Sequence, residues 1–261
     1  MPRAKTIEGR ARLIRNQSLG RKVSYLTFEA PWIAETARPG QFVMVGCSPS
    51  RNDSPDPLLM RPLAVAGVEG STIDLLVGIL GRGTRILAGH EVGVQLTLRG
   101  PLGNGFPEPG RSNLVLAAGG LGAAPLLFAH RCHAHRGDLI TDFILGVPDK
   151  SFKPMVDYLT EAAPGLRVFS DDGSLGSAGN VCTDLPSNPG EVWACGPVPM
   201  YRALLDSLDP EVPFRVSLEA RMGCGFGGCM GCAVPTRQGQ VRACCEGPVF
   251  EGREVLWHEF D

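Results

Sequence analysis

The sequence lacks any run of apolar residues long enough to cross a bilayer. Its most apolar segment, LVLAAGGLGAAPLLFA at 114–129, is broken by glycines and falls short of the roughly 20 residues a membrane helix needs. The start, MPRAKTIEGRARLIRN, has no apolar stretch behind its charges, so neither a signal peptide nor membrane contact is expected, and the cytoplasm is the expected compartment. A surplus of charge is missing too. The 25 Lys and Arg against 27 Asp and Glu leave a net charge of −2, which removes any electrostatic case for nucleic acid or an anionic membrane. Internal repeats and low-complexity tracts are absent. What remains, 43% hydrophobic and 20% charged residues in a chain of 261, is ordinary globular composition, long enough for one large domain or two to three small ones.

Nine cysteines are an odd count for a disulfide framework, and five of them crowd into positions 224 to 245. Without a secretion signal, such crowding favours metal over disulfides. Cys224-x4-Cys229-x2-Cys232 followed by a further Cys has the plant-type spacing for a [2Fe-2S] cluster, with three thiolates from one tight loop and the fourth from a returning segment. The interleaved glycines let the backbone wrap closely and aim N–H groups at sulfur. Zinc is the competing reading. Structural zinc usually takes two Cys pairs two to four residues apart, whereas here three candidates share one loop and the fourth stands eleven or twelve residues on. Spacing leaves that fourth ligand open between Cys244 and Cys245. Of the scattered cysteines, Cys47, Cys132 and Cys182 read as small buried fillers.

Between residues 8 and 108, short β-like runs (ARLIRNQ, VSYLTFE, QFVMVG, LAVAGV, TIDLLVGIL, VQLTLRG) alternate with Gly, Pro and Asn, a pattern that predicts a closed antiparallel barrel. The polar SPSRNDSPDP (48–57) reads as a surface loop. From NLVLAAGG (113–120) the rhythm becomes strand then helix. A helix to about residue 135, the strand LITDFILG, the helix SFKPMVDYLTEAA, strands LRVFS and EVWAC, the helix PMYRALLDSL and a last strand FRVSL predict a parallel sheet with crossover helices. The fold class is thus multi-domain, β plus α/β, with domains at 1–109, 110–218 and 219–261. The last segment is rich in Gly and Cys with no room for its own core, and is expected to be held together by what the cysteines bind.

Gly119, Gly120 and Gly122 lie between a strand and a helix whose first turn carries Pro125, a setting that lets a phosphate approach backbone N–H groups. The frame Gly120-x-Gly122 has Pro125 at the third glycine position, and tight helix–strand packing explains the glycines about as well. DDGSLGSAG (171–179) and CGPVP (195–199) also follow strands, at the carboxyl edge where ligands bind in open α/β sheets. Cys195, with Gly196 and Pro197, would then floor the pocket or serve as a core thiol. In the barrel region, Arg61-Pro62 offers a cationic fork for phosphate, or a solvated surface charge. Gly83-Thr84 offers an open N–H with a hydroxyl beside it, or a hairpin turn.

In this order, PGQFVMV, RPLAVAG, GRGT, GPLGNGF, AAGGLGAAPLL, DDGSLG, CGPVPM, LEARMGCGFGGCMGCAV and CCEGPVF resemble the electron-transfer subunits of dihydroorotate dehydrogenase B, in the ferredoxin reductase superfamily, across essentially the whole chain. The resemblance implies an FAD-binding barrel (1–109), an NAD-binding domain (110–218) and a [2Fe-2S] domain (219–261). It implies Arg61, Pro62, Leu63 and Ala64 along the flavin, Leu76, Val77 and Gly78 flanking it, and Gly83 and Thr84 at the pyrophosphate. The family usually has Ser at Ala64, so one hydroxyl contact near the flavin is lost. Its ending Cys-x-x-Gly-Pro-Val-Phe matches CCEGPVF so as to select Cys244. It further implies an FMN-containing dihydroorotate dehydrogenase catalytic subunit as partner, in a two-plus-two heterotetramer, with electrons passing from FMN through the cluster and FAD to NAD. No portion of the chain could hold the dihydroorotate site itself. Two alternatives remain: the electron-transfer subunit of another NAD(P)-linked iron–sulfur flavoprotein complex, of ferredoxin:NADP reductase or sulfhydrogenase type, and a non-catalytic zinc-bound module. The choice between NAD and NADP is not fixed by the sequence.

Overall fold

The computed structural model describes residues 7–20, 22–49, 56–110, 113–133 and 140–260. Most of the polar loop expected at 48–57, and the end of the helix expected to reach 135, lie outside these residues.

Six strands close an antiparallel barrel: β1 (Ile7–Ser18), β2 (Val23–Glu29), β3 (Phe42–Val45), β4 (Arg61–Glu69), β5 (Thr72–Gly78) and β6 (Gln95–Leu102), in the order β1-β2-β5-β4-β3-β6. Period-two patterning decides which side chains enter it. In β6, Leu96 and Leu98 are fully buried while Gln95, Thr97 and Arg99 face out, and Ala11 and Leu13 do the same in β1. Two short helices decorate the barrel, α1 (Pro31–Ala34) and α2 (Arg82–Ala88). The glycines of GRGT thus open a helix rather than turn a hairpin.

The second sheet contains β7 (Leu114–Gly119), β8 (Ile140–Val147), β9 (Arg167–Ser170), β10 (Ser177–Ala178), β11 (Glu191–Cys195) and β12 (Phe214–Ser217), all pairing in parallel. The crossovers are α3 (Ala123–His133), α4 (Lys153–Ala162) and α5 (Val198–Ser207). The order β10-β9-β8-β7-β11-β12 reverses direction at β7, so the chain leaves β7 and β11 on opposite sides of one crevice, the place where open α/β sheets bind ligands.

Helix α3 is apolar nearly all round, with Ala123 through Ala129 buried, so it must be covered on every side. Leu126 and Leu127 pack with the sheet and α4, while Phe128 enters the barrel core. Beside it Arg131 reaches across to the barrel, donating to the Tyr25 hydroxyl (3.2 Å) and to Asp74 Oδ2 (3.0 Å), whose other oxygen accepts from Thr27 (2.7 Å).

The C-terminal segment departs from expectation. It does have a core, one it shares. A hairpin of β13 (Ala233–Thr236) and β14 (Gly239–Arg242) precedes β15 (Val249–Glu251), which joins the large sheet antiparallel to β12 as its seventh strand. Val234, Ala243, Val255 and Trp257 are buried with β11, β12 and α5 and with Phe42, Met44 and Leu102 of the barrel. The segment can do without an interior of its own because it covers one sheet face and one sheet edge, sites the α/β domain would otherwise leave bare.

Replacing Arg131 with Leu strands the mostly buried Asp74 carboxylate between barrel and helix. With the guanidinium still 31% exposed and screened, the expected loss is about 1–3 kcal/mol of unfolding free energy, read by urea denaturation. Combined with Asp74→Asn, the two changes should cost less than their sum.

Candidate functional site: two clefts and a cysteine loop

The first cleft, about 380 Å³, opens between the barrel and the end of β12. Arg61, Pro62, Leu63 and Ala64 of β4, Leu76 and Gly78 of β5, and Thr84 of α2 line it. Val77 does not, because alternation turns its side chain into the barrel core. Gly83 lies beneath Arg61: a Cβ there would overlap the guanidinium, with Cζ at 2.7 Å. Arg61 donates to the carbonyls of Leu59 (2.7 Å) and Met60 (3.5 Å), which leaves much of its fork at the cleft edge. The Thr84 hydroxyl accepts from the N–H groups of Leu80 (3.1 Å) and Gly81 (3.2 Å), so it serves to cap α2, leaving the backbone of the first turn as the donor set for an anion.

The second cleft, about 510 Å³, lies at the crevice where the sheet order reverses. It gathers Gly119, Gly120 and Gly122 after β7, Asp171 after β9, and Gly196 and Pro197 after β11. At Gly122 a side chain is impossible, since a Cβ would overlap the Cys195 carbonyl of the neighbouring strand. Both readings of these glycines therefore apply at once: close packing at Gly122, open backbone at Gly120. Cys195 is buried and lines the barrel-side cleft rather than this one. Burial, then the nearby Glu219 carboxylate, pushes its thiol well up, so it stays protonated.

The clefts meet. Leu121 and Glu219 belong to the walls of both. Glu219 is open to solvent at the shared mouth yet flanked by both walls, and the resulting desolvation pushes its carboxyl up. Sequence reasoning passed over it, although it stands in LEARM directly ahead of the cysteine loop.

That loop continues the wall of the barrel-side cleft: Ala220, Arg221 and Met222 line the cleft, and Cys224 is two residues on. Two arginines pin the loop. Arg99 of β6 donates to the Cys224 carbonyl (3.1 Å) and lies 5.3 Å over the Phe226 ring, while Arg242 donates to the Gly227 carbonyl (3.2 Å) and to the Glu246 carboxylate (2.6 and 3.0 Å). Only the i,i+4 spacing of Arg242 and Glu246 could have marked the second pin in the sequence. The Gly228 N–H donates to Cys224 Sγ at 3.2 Å. Desolvation, the largest single influence, would raise the Cys224 thiol, but the N–H groups of Phe226, Cys229 and Gly228 and the Cys229 side chain together outweigh it and bring it down to about 6.

Among the described residues no three His, Cys, Asp or Glu side chains converge as one metal ion would require. The Cys224 thiol associates with Cys229, and the Cys244 thiol with both Cys232 and Cys245. Two such groups of thiols, with a backbone donor aimed at the Cys224 sulfur, fit a centre with two irons, each taking two thiolates.

Residues 219–256 match the model of the iron–sulfur cluster binding domain of dihydroorotate dehydrogenase B. The chain is 39% identical over 247 residues to a dihydroorotate dehydrogenase B (NAD(+)) electron transfer subunit of Desulforamulus reducens, covering 89% of this chain and 92% of that one. It is 37% identical to the subunit of the same name from Bacillus caldolyticus, covering 95% and 99%. Among solved structures, a chain of an NADH-dependent reduced ferredoxin-NADP oxidoreductase, studied for flavin-based electron bifurcation, superimposes with a TM-score of 0.82 at 29% identity over 95% of this chain and 90% of that one. A ferredoxin NADP+ reductase from Neisseria gonorrhoeae shares the fold alone, at 17% identity and a TM-score of 0.62 over 82% of this chain and all of that one.

Gly122→Ala should force α3 off β11. A lower melting temperature, together with a rise of about tenfold or more in the dissociation constant for NADH, is the expected outcome by thermal melts and fluorescence titration. In protein stripped of iron, Cys224 should be the first thiol alkylated by iodoacetamide at neutral pH. Its thiolate is present above about pH 6 and protonated below, so its rate, followed by peptide mass mapping, should fall as pH drops through that value, whereas an ordinary thiol loses reactivity already below about pH 8.5.

Proposed function

The chain belongs to the electron-transfer subunits of dihydroorotate dehydrogenase B, and on that footing we propose that Cys224, Cys229, Cys232 and Cys244 hold its [2Fe-2S] cluster, that the barrel-side cleft takes FAD and that the crevice of the parallel sheet takes NAD. When bound, these groups supply one-electron exchange at the cluster and two-electron hydride exchange between flavin and nicotinamide, joining dihydroorotate oxidation on the partner to NAD+ reduction here. The observation that carries the reading is contiguity. Met222 ties the cysteine loop to the barrel-side cleft, and Leu121 and Glu219 join that cleft to the crevice.

The chain's own residues bind and orient. Arg61 and the first-turn N–H groups at Gly83 and Thr84 receive the pyrophosphate of FAD, while Pro62, Leu63, Ala64, Leu76 and Gly78 form the wall for its ring system. Val77 contributes backbone alone. Gly119, Gly120 and Gly122 bring N–H groups to the NAD phosphates, and Gly196 and Pro197 form the opposite lip, with Cys195 beneath as a neutral packing group. Asp171 supports NAD over NADP, since a carboxylate at the crevice repels an added 2′-phosphate. Glu219 binds a proton more tightly than an ordinary carboxylate at the place where the two clefts join.

The partner is a catalytic subunit of dihydroorotate dehydrogenase. Its carrying FMN, and the two-plus-two assembly, belong to the proposal. Phe226 and Met230, 56% and 52% exposed on the cysteine loop, support docking of the partner on that face. The likeness to the NADH-dependent ferredoxin-NADP oxidoreductase favours a second reading, the same relay serving a different redox partner.

Anaerobically purified protein should contain one flavin, two irons and two acid-labile sulfides per chain. Cys244→Ser should lose the iron and Cys245→Ser keep it. Mixed with the catalytic subunit, the loaded chain should give dihydroorotate-dependent NAD+ reduction. Full cofactor content with no such reduction would move the assignment to the second reading, and a colourless, zinc-containing protein would end both.

A further inference from the structure

Cys244 and Cys245 are adjacent, and in an extended chain their thiols would face opposite ways. Here the backbone winds. The N–H groups of Cys245, Glu246 and Gly247 all donate to the Arg242 carbonyl, at 3.0, 2.9 and 3.3 Å, which makes a helix-like turn in which successive side chains lie about 100° apart. Both thiols are therefore carried inward, buried, with their sulfurs 3.8 Å apart. The Cys245 sulfur also faces the ligand loop. A Cβ on Gly227, whose φ of +92° already favours glycine, would meet it at 2.6 Å.

The turn is fixed in this attitude. The Asn104 amide, from the barrel side, donates to the carbonyls of Cys245 (3.2 Å) and Glu246 (2.9 Å), and the Arg242 guanidinium bridges Glu246 and Gly227. A thiol kept against a neighbouring sulfur by four such bonds is more than packing filler requires. It is a weak donor, and the Cys244 sulfur stands within its reach as an acceptor.

We propose that Cys245 is a positioning residue for the cluster: its S–H donates to the Cys244 sulfur and raises the reduction potential of the [2Fe-2S] centre. The inference rests on the ligand set proposed above, with Cys244 as fourth ligand. A donor to a ligand thiolate draws charge from sulfur and so favours the reduced state, which carries one more negative charge.

The test is an EPR-monitored redox titration of the loaded subunit purified with its partner, alongside iron analysis. Cys245→Ala should keep two irons per chain and shift the midpoint potential to more negative values. Cys245→Ser, which restores a donor, should lie between Cys245→Ala and wild type or match wild type. Should removal of the thiol perturb packing, Cys245→Val fills the space the sulfur leaves without restoring the donor and should behave like Cys245→Ala. An intact cluster at the wild-type potential in Cys245→Ala and Cys245→Val overturns the inference. Loss of iron from Cys245→Ala with retention in Cys244→Ala also overturns it, by making Cys245 the ligand. Failure of the unsubstituted protein to take up iron and sulfide would instead strike at the parent reading, and the wild-type control separates the two.

Discussion

A helix that is apolar nearly all round must be covered on almost every side, and α3 meets that requirement by lying between the barrel and the parallel sheet. Nearly everything functional follows from it. Once the helix is clamped, the turn leading into it, at Gly122, is pressed onto the end of β11, and Leu121 just ahead of that glycine reaches Gly78 on the barrel. The two clefts must then open beside one another, and whatever occupies one is brought against whatever occupies the other. Arg131 adds direction to this packing, because hydrogen bonds to Tyr25 and Asp74 select one rotation of the barrel where apolar contact alone would tolerate several.

The cysteine loop solves a different problem. Thiolates gathered in one place repel, and a loop made of glycine has no side chains with which to hold itself. Arg99 and Arg242 address both difficulties: their guanidinium groups bring positive charge to the loop and tie its carbonyl groups to the barrel and to the following turn. Backbone N–H groups aimed at Cys224 complete the electrostatic setting. The loop is thus shaped in advance by the rest of the molecule.

Much of the fold was legible in the sequence because it rests on short-range pattern. All six barrel runs and the alternation of strands and helices from 113 to 218 correspond to elements of the structure. What escaped notice depends on the partner of a residue rather than its neighbours in the chain. The strands β13 to β15 are three or four residues long, and β15 gains its stability from a sheet edge formed far away. The role of the Thr84 hydroxyl could not be separated from that of the adjoining N–H groups without the path of α2. Glu219 and Arg99 look like surface charges until the clefts and the loop are placed around them. The candidate residues along β4, β5 and the three glycine-rich turns do gather into two clefts, with Val77 excluded by the alternation of its strand and Cys195 found on the other side of the wall from its expected place.

The pairing of β15 with β12 has a consequence for how the cluster domain can move. Ser217 and Val249 are direct partners in the sheet, and the Leu218 N–H donates to the Pro248 carbonyl at 2.9 Å, so the excursion that carries the cysteines leaves and returns at a single closed neck. The entropy of closing that long loop is met by strand pairing, whether or not iron is present, and each doubling of such a loop adds about 0.6 kcal/mol at most. The excursion is thereby a pouch with a sewn mouth. Any local opening of its lining would leave the sheet that positions both clefts shut.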